Sequence, residues 1–262
     1  MELEVKNLSF GYKNKNILKD VNLKFQPMIT ALIGPNGAGK STIIKCISGI
    51  EKPKGELFFD GKKIQRSHKE FCSEIISYLP QTSSGDISIT VLEAVLLGMI
   101  NTLSIKVSDE QLDKVRDILC DLGIQGLAEK KLNELSGGQR QIVFLAQAII
   151  KEPKILILDE PLNNLDIHYQ FEILNLISRL SNERKIITII VMHDLNMAAK
   201  YAKRVVLINE GEVLANDKPD KVLTTEIIRK VYNVESEISI DDNGILSINF
   251  INTSNYAQGG RK

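Results

Sequence analysis

The stretch that decides the fold is a glycine-rich segment between an apolar run and a helical pattern. It reads Gly34-Pro35-Asn36-Gly37-Ala38-Gly39-Lys40-Ser41-Thr42. The segment satisfies the pattern G-x-x-x-x-G-K-[ST], in which a buried strand leads through a loop into a helix. The flanking residues fit that order, because Ile29–Ile33 predicts a strand and Lys40–Ile50 predicts a helix closed by Gly49 and Pro53.

The fixed residues of this segment are those that a phosphate-binding loop needs. Gly37 and Gly39 let the backbone turn so that successive N–H groups face an anion. The helix that starts near Lys40 adds its positive dipole end, and Lys40 itself supplies a mobile charge for the β- and γ-phosphates. The Ser41 hydroxyl is placed to ligate Mg²⁺. A glycine-rich turn with a surface lysine is the alternative, but the strand–loop–helix context favours a nucleotide site.

A second strand ends in two acids. The run is Ile155-Leu156-Ile157-Leu158-Asp159-Glu160. At the carboxyl end of a buried strand, Asp159 can hold Mg²⁺ directly or through water, and Glu160 can polarise an attacking water as general base. Adjacent carboxylates after a strand are more often a solvated turn. The apolar run and the upstream phosphate loop favour the catalytic interpretation here.

A third motif, Leu135-Ser136-Gly137-Gly138-Gln139, precedes an apolar helical pattern. Ser-Gly-Gly at a helix start presents backbone N–H groups to an anion, so the chain is predicted to carry two anion-binding helix starts. Alone, the motif would more simply be a serine cap with glycines that allow close packing.

Because the phosphate loop and the Ser136 motif lie in different predicted subdomains, one copy does not easily bring Ser136 onto its own Lys40. A second copy facing the first head-to-tail would satisfy both sites.

The composition of the 262-residue chain is ordinary for a globular protein, with 43% hydrophobic and 25% charged residues. Thirty-three basic residues balance 33 acidic ones, so no net positive field favours nucleic acid. Three cysteines, far apart in the sequence, indicate free thiols in a reducing compartment. No run approaches the ~18 apolar residues of a membrane span, and no signal peptide is visible. We expect a soluble protein that reaches a membrane only through a partner.

The order of patterns predicts an α/β fold with a P-loop NTPase core, a mostly parallel sheet covered by helices. Period-two alternation up to Phe25 and the turn Asp60-Gly61 predict an antiparallel β subdomain beside it. Helical signals dominate from about residue 82 to 150, where Ser108 is expected to cap a helix that stops at Gly123. We interpret this segment as an inserted helical subdomain.

From residue 2 to about residue 235 the chain resembles the ATP-binding subunit of an ABC transporter. Tyr12 resembles the aromatic residue that stacks on adenine, and Gln81 resembles the glutamine that touches Mg²⁺ and senses the membrane partner. Asp166 lies in a segment similar to the loop that crosses to the other copy, and His193 resembles the switch histidine on the γ-phosphate. One departure is Leu162, where the family commonly has Thr or Ser.

The resemblance implies a single ABC ATPase domain over 1–235. The strand patterns at Glu237–Ile240 and Ile245–Phe250 predict a terminal hairpin after it, so that 236–262 would form a hairpin and tail. The resemblance also implies ATP and Mg²⁺ as cofactors, with two ATP molecules held between two copies of the chain. Glu160, His193 and Gln81 would be catalytic, and Ser41, Gln81 and Asp159 would bind the metal. The nucleotide-binding residues would be Tyr12, Gly34, Pro35, Asn36, Gly37, Ala38, Gly39, Lys40, Ser41, Thr42, Ser136, Gly137, Gly138, Gln139 and Asp166.

The partners implied are a separate polytopic permease and, through it, an extracytoplasmic substrate-binding protein, with no nucleic acid. The chain would then lie on the cytoplasmic face of the cell membrane, with the permease docked around Gln81 and Thr82–Ile100. The segment after His193 is similar to ATPases of iron-siderophore, haem and cobalamin importers. Importers of other metals or oxyanions remain alternatives. So does a soluble iron–sulfur assembly ATPase, although its signature usually departs from Ser136–Gln141.

Overall fold

The computed structural model describes residues 1–12, 15–64, 74–81, 88–100, 107–242 and 244–253. The chain divides into two compact units, the first formed by Met1–Arg66 with Ile189–Lys262 and the second by Ser67–Thr188. Part of the expected permease dock, residues 82–87, and the tail at 254–262 lie outside the described residues. The domain boundary at 235 stays a prediction.

The strands and helices are numbered along the chain. The strands are β1 (Leu3–Tyr12), β2 (Lys15–Phe25), β3 (Ile29–Ile33), β4 (Lys54–Phe59), β5 (Lys62–Lys63), β6 (Ile76–Leu79), β7 (Ile155–Asp159), β8 (Ile187–Val191), β9 (Arg204–Asn209), β10 (Glu212–Asp217), β11 (Val234–Ile240) and β12 (Leu246–Thr253). The helices are α1 (Lys40–Ile47), α2 (Val91–Leu96), α3 (Asp109–Asp121), α4 (Gly137–Ile149), α5 (Ile167–Glu183), α6 (Leu195–Tyr201), α7 (Pro219–Val222) and α8 (Thr225–Tyr232).

The first unit contains the predicted antiparallel sheet, in the strand order β2-β1-β4-β5. Its strands alternate buried and exposed residues; in β2, Val21, Leu23 and Phe25 are buried and their neighbours face solvent. This is the pattern of a sheet with one face on the core. The β4–β5 turn has positive φ at Asp60 (48°) and Gly61 (74°), which confirms the predicted primed hairpin.

A parallel pair in the first unit positions the phosphate loop. Strand β3 is buried at all five residues and pairs in parallel with β9, which also pairs antiparallel with β10. Burial on both faces explains why β3 reads as an apolar run with no alternation. The loop then leaves the carboxyl end of β3 and enters α1. That helix ends at Ile47, earlier than predicted, because Gly49 adopts a left-handed conformation with φ of 79°.

The second unit has its own parallel pair, β6 with β7, and the helices α2 to α5. Strand β7 is wholly buried and ends at Asp159. Helix α3 begins at the predicted cap, since the Ser108 side chain accepts from the Gln111 N–H, and Gly123 follows its end with φ of 69°. The boundary along the chain between the second unit and the first falls within strand β8. The parallel pairs confirm the predicted α/β class.

The C-terminal part of the first unit ends in the hairpin β11–β12, which is longer at both ends than the sequence pattern indicated. Of the helices in the described ranges, none has both the length and the apolar character needed to cross a bilayer.

Candidate nucleotide-binding site

The phosphate loop owes its shape to glycines in conformations that other residues rarely adopt. Gly34 has φ of 143°, and a Cβ there would lie 2.0 Å from the Ile208 carbonyl oxygen. Gly39, the residue before α1, has φ of 107°, and its Cβ would lie 2.8 Å from a Leu18 methyl group. Gly37 has φ of 78°, but a Cβ there would meet nothing within 4 Å. Gly34 is therefore required by a backbone contact as well as by its conformation, whereas Gly39 is required mainly by its conformation.

Lys40 is held against the loop that precedes it. Its side chain is almost buried, at 5% exposure, and Nζ donates to the carbonyl oxygens of Gly34 at 2.7 Å and Pro35 at 3.0 Å. The Gly211 N–H braces the same loop by donating to the Ala38 carbonyl at 3.0 Å. Ser41 is half-buried in the first turn of α1. The predicted phosphate ligands of residues 34–42 thus form one braced local unit.

Tyr12 is the last residue of β1, and its ring is 47% exposed. The Phe10 ring packs against it edge to face, with the centroids 4.9 Å apart. The Tyr12 hydroxyl donates to Glu51 Oε1 at 2.7 Å, and this hydrogen bond, with some burial and the Glu51 charge, raises the pKa of Tyr12 to about 12. The phenol therefore stays neutral at physiological pH and presents an uncharged aromatic face.

His193 lies between the end of β8 and the start of α6. Its side chain is exposed, and the next residue, Asp194, caps α6 by accepting from the N–H groups of Asn196 and Met197. The predicted position after an apolar strand is therefore observed.

In the second unit, Asp159 ends β7 and is only 3% exposed. Tyr78, on the neighbouring strand β6, donates its hydroxyl to Asp159 Oδ2 at 3.3 Å. Burial, followed by the charge of Asp159 and this bond, raises the pKa of Tyr78 above its usual value. The tyrosine thus remains a hydrogen-bond donor to the carboxylate.

Glu160 follows immediately in a left-handed conformation, with φ of 52°. Its Oε2 accepts from Gln81 Nε2 at 2.5 Å and also from Asn163 Nδ2. A non-glycine residue with positive φ is uncommon, and such strained residues cluster at functional sites. The structure therefore brings two predicted site residues, Gln81 and Glu160, into direct contact.

The Ser136 turn opens α4 with reciprocal caps. Ser136 Oγ accepts from the Gln139 N–H and Gln139 Oε1 accepts from the Ser136 N–H, each at 3.2 Å. Ser136 and Gly137 are exposed, whereas a Cβ on Gly138 would lie 2.2 Å from the Tyr169 ring. The predicted cap and the predicted close packing are thus both present. They leave the exposed helix start open to an anion.

Asp166 caps α5, with Oδ1 accepting from the Tyr169 N–H at 3.0 Å. The departure at Leu162 leaves the preceding turn intact, because the Asn163 N–H donates to the Glu160 carbonyl at 3.3 Å. The bond from Leu165 N to Leu162 O, at 3.4 Å, continues the turn. The backbone and Asn163 therefore supply hydrogen bonds in this segment without a hydroxyl at residue 162.

The donor groups suit both expected cofactors. The first turn of α1 and the glycines before it present N–H groups at a helix start, the arrangement that suits a triphosphate. Mg²⁺ prefers oxygen ligands. The first unit offers the Ser41 hydroxyl, and the second unit offers the Asp159 carboxylate and the Gln81 amide oxygen. Gln81 donates to Glu160 through its nitrogen, so this hydrogen bond does not use the amide oxygen.

Sequence reasoning missed several side chains that shape the site. These are Tyr78, Asn163, Glu51 and Tyr169. Asn163 lies only three residues after Glu160, but the sequence assigns it no role of its own. Tyr78 lies 81 residues before its partner, and no local pattern reveals that pairing.

Comparison with known proteins identifies the family. The family model described as "ABC transporter" matches residues 18–163. An uncharacterized ABC transporter ATP-binding protein of Methanocaldococcus jannaschii is 38% identical, over 91% of this chain and 94% of its own. The petrobactin import ATP-binding protein YclP of Bacillus subtilis is 32% identical, over 95% of this chain and 99% of its own.

Solved structures support the same family assignment. An inward-facing structure described as a metal-chelate type ABC transporter matches with a TM-score of 0.81 and 26% identity, over 95% of this chain and 96% of that one. The dimeric structure of the bacterial ABC transporter cassette MJ0796 matches with a TM-score of 0.72 and 27% identity, over 83% and 98%. The chain therefore belongs to the ABC transporter family, as an ATP-binding and ATP-hydrolysing subunit.

Proposed function

We propose that two copies of this chain bind two ATP molecules between them and drive a separate permease that imports a metal chelate of the iron-siderophore, haem or cobalamin type. The observation that carries the hydrolytic part is the Glu160 carboxylate, which follows the buried Asp159 and accepts hydrogen bonds from Gln81 and Asn163. A carboxylate oriented in this way is suited to take a proton from water.

The first unit would bind the nucleotide. The backbone N–H groups of residues 34–42 and the Lys40 ammonium would hold the phosphates, and Tyr12 would stack on the adenine. Lys40 sits on the Gly34 and Pro35 carbonyls, so its charge lies within the loop before any phosphate arrives. Little side-chain ordering then remains to oppose binding.

The second unit would supply the general base, and the first unit the histidine that contacts the γ-phosphate. Glu160 would accept a proton from the attacking water, while Gln81 and Asn163 hold its Oε2 in place. When bound, Mg²⁺ would neutralise phosphate charge, held by Ser41, Asp159 and Gln81. His193 would contact the γ-phosphate, a role that its position after β8 allows.

The second copy would complete each site. Ser136 and Gly137 are exposed at a helix start, and Gly138 and Gln139 hold that start in place. Asp166 caps the helix after the predicted crossing loop. A helix start that faces solvent is available to a phosphate from another molecule. A two-fold pair would use two such turns, one on each triphosphate. The matched cassette MJ0796 is described as a dimer, which supports the pairing.

The permease and its cargo are inferred from the relatives. YclP is named for petrobactin import, and a 33% identical relative, FepC of Escherichia coli, for ferric enterobactin transport. With the structure described as a metal-chelate type transporter, they support a chelated metal as cargo. The chain would then bind at the cytoplasmic membrane face through the permease, near Gln81 and 88–100. A substrate-binding protein would deliver the chelate outside, and no nucleic acid would take part.

Two substitutions test the hydrolytic roles. Glu160→Gln keeps the side-chain shape but removes the base, so we expect turnover to fall at least about 100-fold. ATP binding should persist, and light scattering should show that the copies remain paired in the presence of ATP. Lys40→Ala should instead abolish ATP binding itself. The exposed Glu183→Gln and Lys230→Ala are matched controls. Wild-type turnover in Glu160→Gln, or unchanged ATP affinity in Lys40→Ala, would contradict these roles.

The transport part needs the permease. Reconstitution with the co-purified permease should give ATP-dependent uptake of a ferric siderophore, haem or cobalamin that Glu160→Gln abolishes. Robust ATPase activity with no membrane partner, together with an iron–sulfur assembly partner, would instead favour the soluble assembly class.

A further inference from the structure

One side chain on α6 fixes the C-terminal hairpin. Asn196 Nδ2 donates to the Ile248 carbonyl at 3.1 Å, and the Ile248 N–H donates to Asn196 Oδ1 at 2.7 Å. The side-chain amide of Asn196 thus pairs with both the N–H and the C=O of Ile248, as the backbone of a neighbouring strand would. Ile248 is 4% exposed, so water competes little with these bonds.

Asn196 belongs to the same short segment as His193. Before the histidine, the Met192 N–H donates to the Leu32 carbonyl at 3.1 Å. After it, Asp194 Oδ1 accepts from the Asn196 N–H at 2.8 Å and caps α6. The Ile248 contact is the next anchor along the chain, so the backbone around His193 is held on both sides.

His193 itself is exposed. The backbone anchors on either side set the position of its Cα, from which the imidazole extends. Helix α6 is only seven residues long, and a helix this short has little stability of its own. Its start depends on outside contacts, and the amide of Asn196 is one of them.

We propose that Asn196 is a positioning residue for His193, and that the hairpin acts through it. By pairing with Ile248, Asn196 fixes the start of α6 and so holds His193 where it contacts the γ-phosphate. The inference rests on the function proposed above for His193. It also gives a role to the hairpin, which none of the sequence motifs assigns.

The opposing possibility is that α6 is held by apolar packing alone. Leu195, Met197 and Ala198 are buried, and they would keep the helix in place without the amide. Asn196 would then matter only for the docking of the hairpin, and its loss would lower stability without a specific effect on turnover.

Steady-state ATPase measurements on the full chain distinguish the two. We expect Asn196→Ala to lower kcat about tenfold and to change the KM for ATP by less than about twofold. The rates are divided by the concentration of folded protein, which is measured by circular dichroism. Asn249→Ala, an exposed asparagine on the same strand, is the matched control. In a His193→Ala background, Asn196→Ala should cause no further loss of kcat, because both act through one group.

A wild-type kcat in Asn196→Ala would overturn the inference while the proposed function stands. So would a double variant whose loss of kcat equals the product of the two single losses. If His193→Ala alone left kcat unchanged, the role proposed for His193 would fail, and the inference with it. Should Asn196→Ala not fold, Asn196→Asp keeps the acceptor for the Ile248 N–H and loses the donor. It should lower kcat about threefold, and wild-type kcat there would equally overturn the inference.

Discussion

The phosphate loop and the Glu160 turn both follow buried strands, β3 and β7, yet different interactions fix them. In the loop, the shape is set by backbone conformation and by close contacts of Gly34 and Gly39. In the turn, one carboxylate oxygen of Glu160 is held by the side chains of Gln81 and Asn163. In the first region an atom added at Gly34 would meet a backbone carbonyl, whereas the second region depends on particular polar groups.

This difference matches what each region is proposed to do. A triphosphate carries several anionic oxygens, and a rigid cradle of backbone N–H groups binds them with little loss of entropy in the protein. A general base must hold one oxygen toward water and then accept a proton, so hydrogen bonds from movable amides suit it better. We therefore expect substitutions in the two regions to fail in different ways.

The largest effect should come from adding one methyl group to the loop. Gly34→Ala would place a Cβ 2.0 Å from the Ile208 carbonyl in a conformation with φ of 143°. We expect the free energy of unfolding in urea to fall by more than about 3 kcal/mol. Gly37→Ala is the matched control, because its Cβ meets nothing within 4 Å, and it should cost only about 1 kcal/mol. Equal losses in the two variants would show that contacts do not fix the loop.

A smaller, purely catalytic effect should come from the Glu160 turn. Asn163→Ala removes one donor to Glu160 Oε2 and leaves the other, from Gln81. We expect kcat for ATP hydrolysis to fall about tenfold with a KM change below about twofold, because only the base is disturbed. Asn163 is exposed, so the free energy of unfolding should change by less than about 1 kcal/mol. A wild-type kcat would mean that Asn163 does not orient the carboxylate.

Much of the fold could be predicted because its signals are local. The loop at 34–42, the turn at Asp60 and the cap at Ser108 each depend on a few adjacent residues. Strands β6 and β10 were not predicted. Strand β6 has only four residues, and strand β10 mixes polar and half-buried residues, so that its periodicity does not stand out.

The parts of the site that could not be predicted are contacts between distant residues. Tyr78 meets Asp159 across 81 positions, and Asn196 meets Ile248 across 52. Such pairs arise from strand order and helix docking, which no single motif encodes. The places of Lys40, Glu160 and Ser136 beside buried strands and at helix starts could be predicted because each residue lies in a compact motif.

The central claim is that each catalytic site takes its phosphate loop from one copy and its Ser136 turn from the other. Mixing two inactive variants tests it most directly. Lys40→Ala disables the loop, and Gly137→Asp adds a negative charge at the turn. A Cβ at Gly137 has only an ordinary contact, 3.6 Å from a Leu165 methyl group, and an acid is tolerated at a helix start. Gly137→Ala is the matched control and should remain active.

Each variant alone should show almost no ATPase activity. Random pairing of an equal mixture makes half of the pairs mixed, and each mixed pair has one intact site of two. The mixture should therefore recover about a quarter of wild-type activity, with a rate that depends on protein concentration. Substantial activity of Gly137→Asp alone, or no recovery on mixing, would contradict the account.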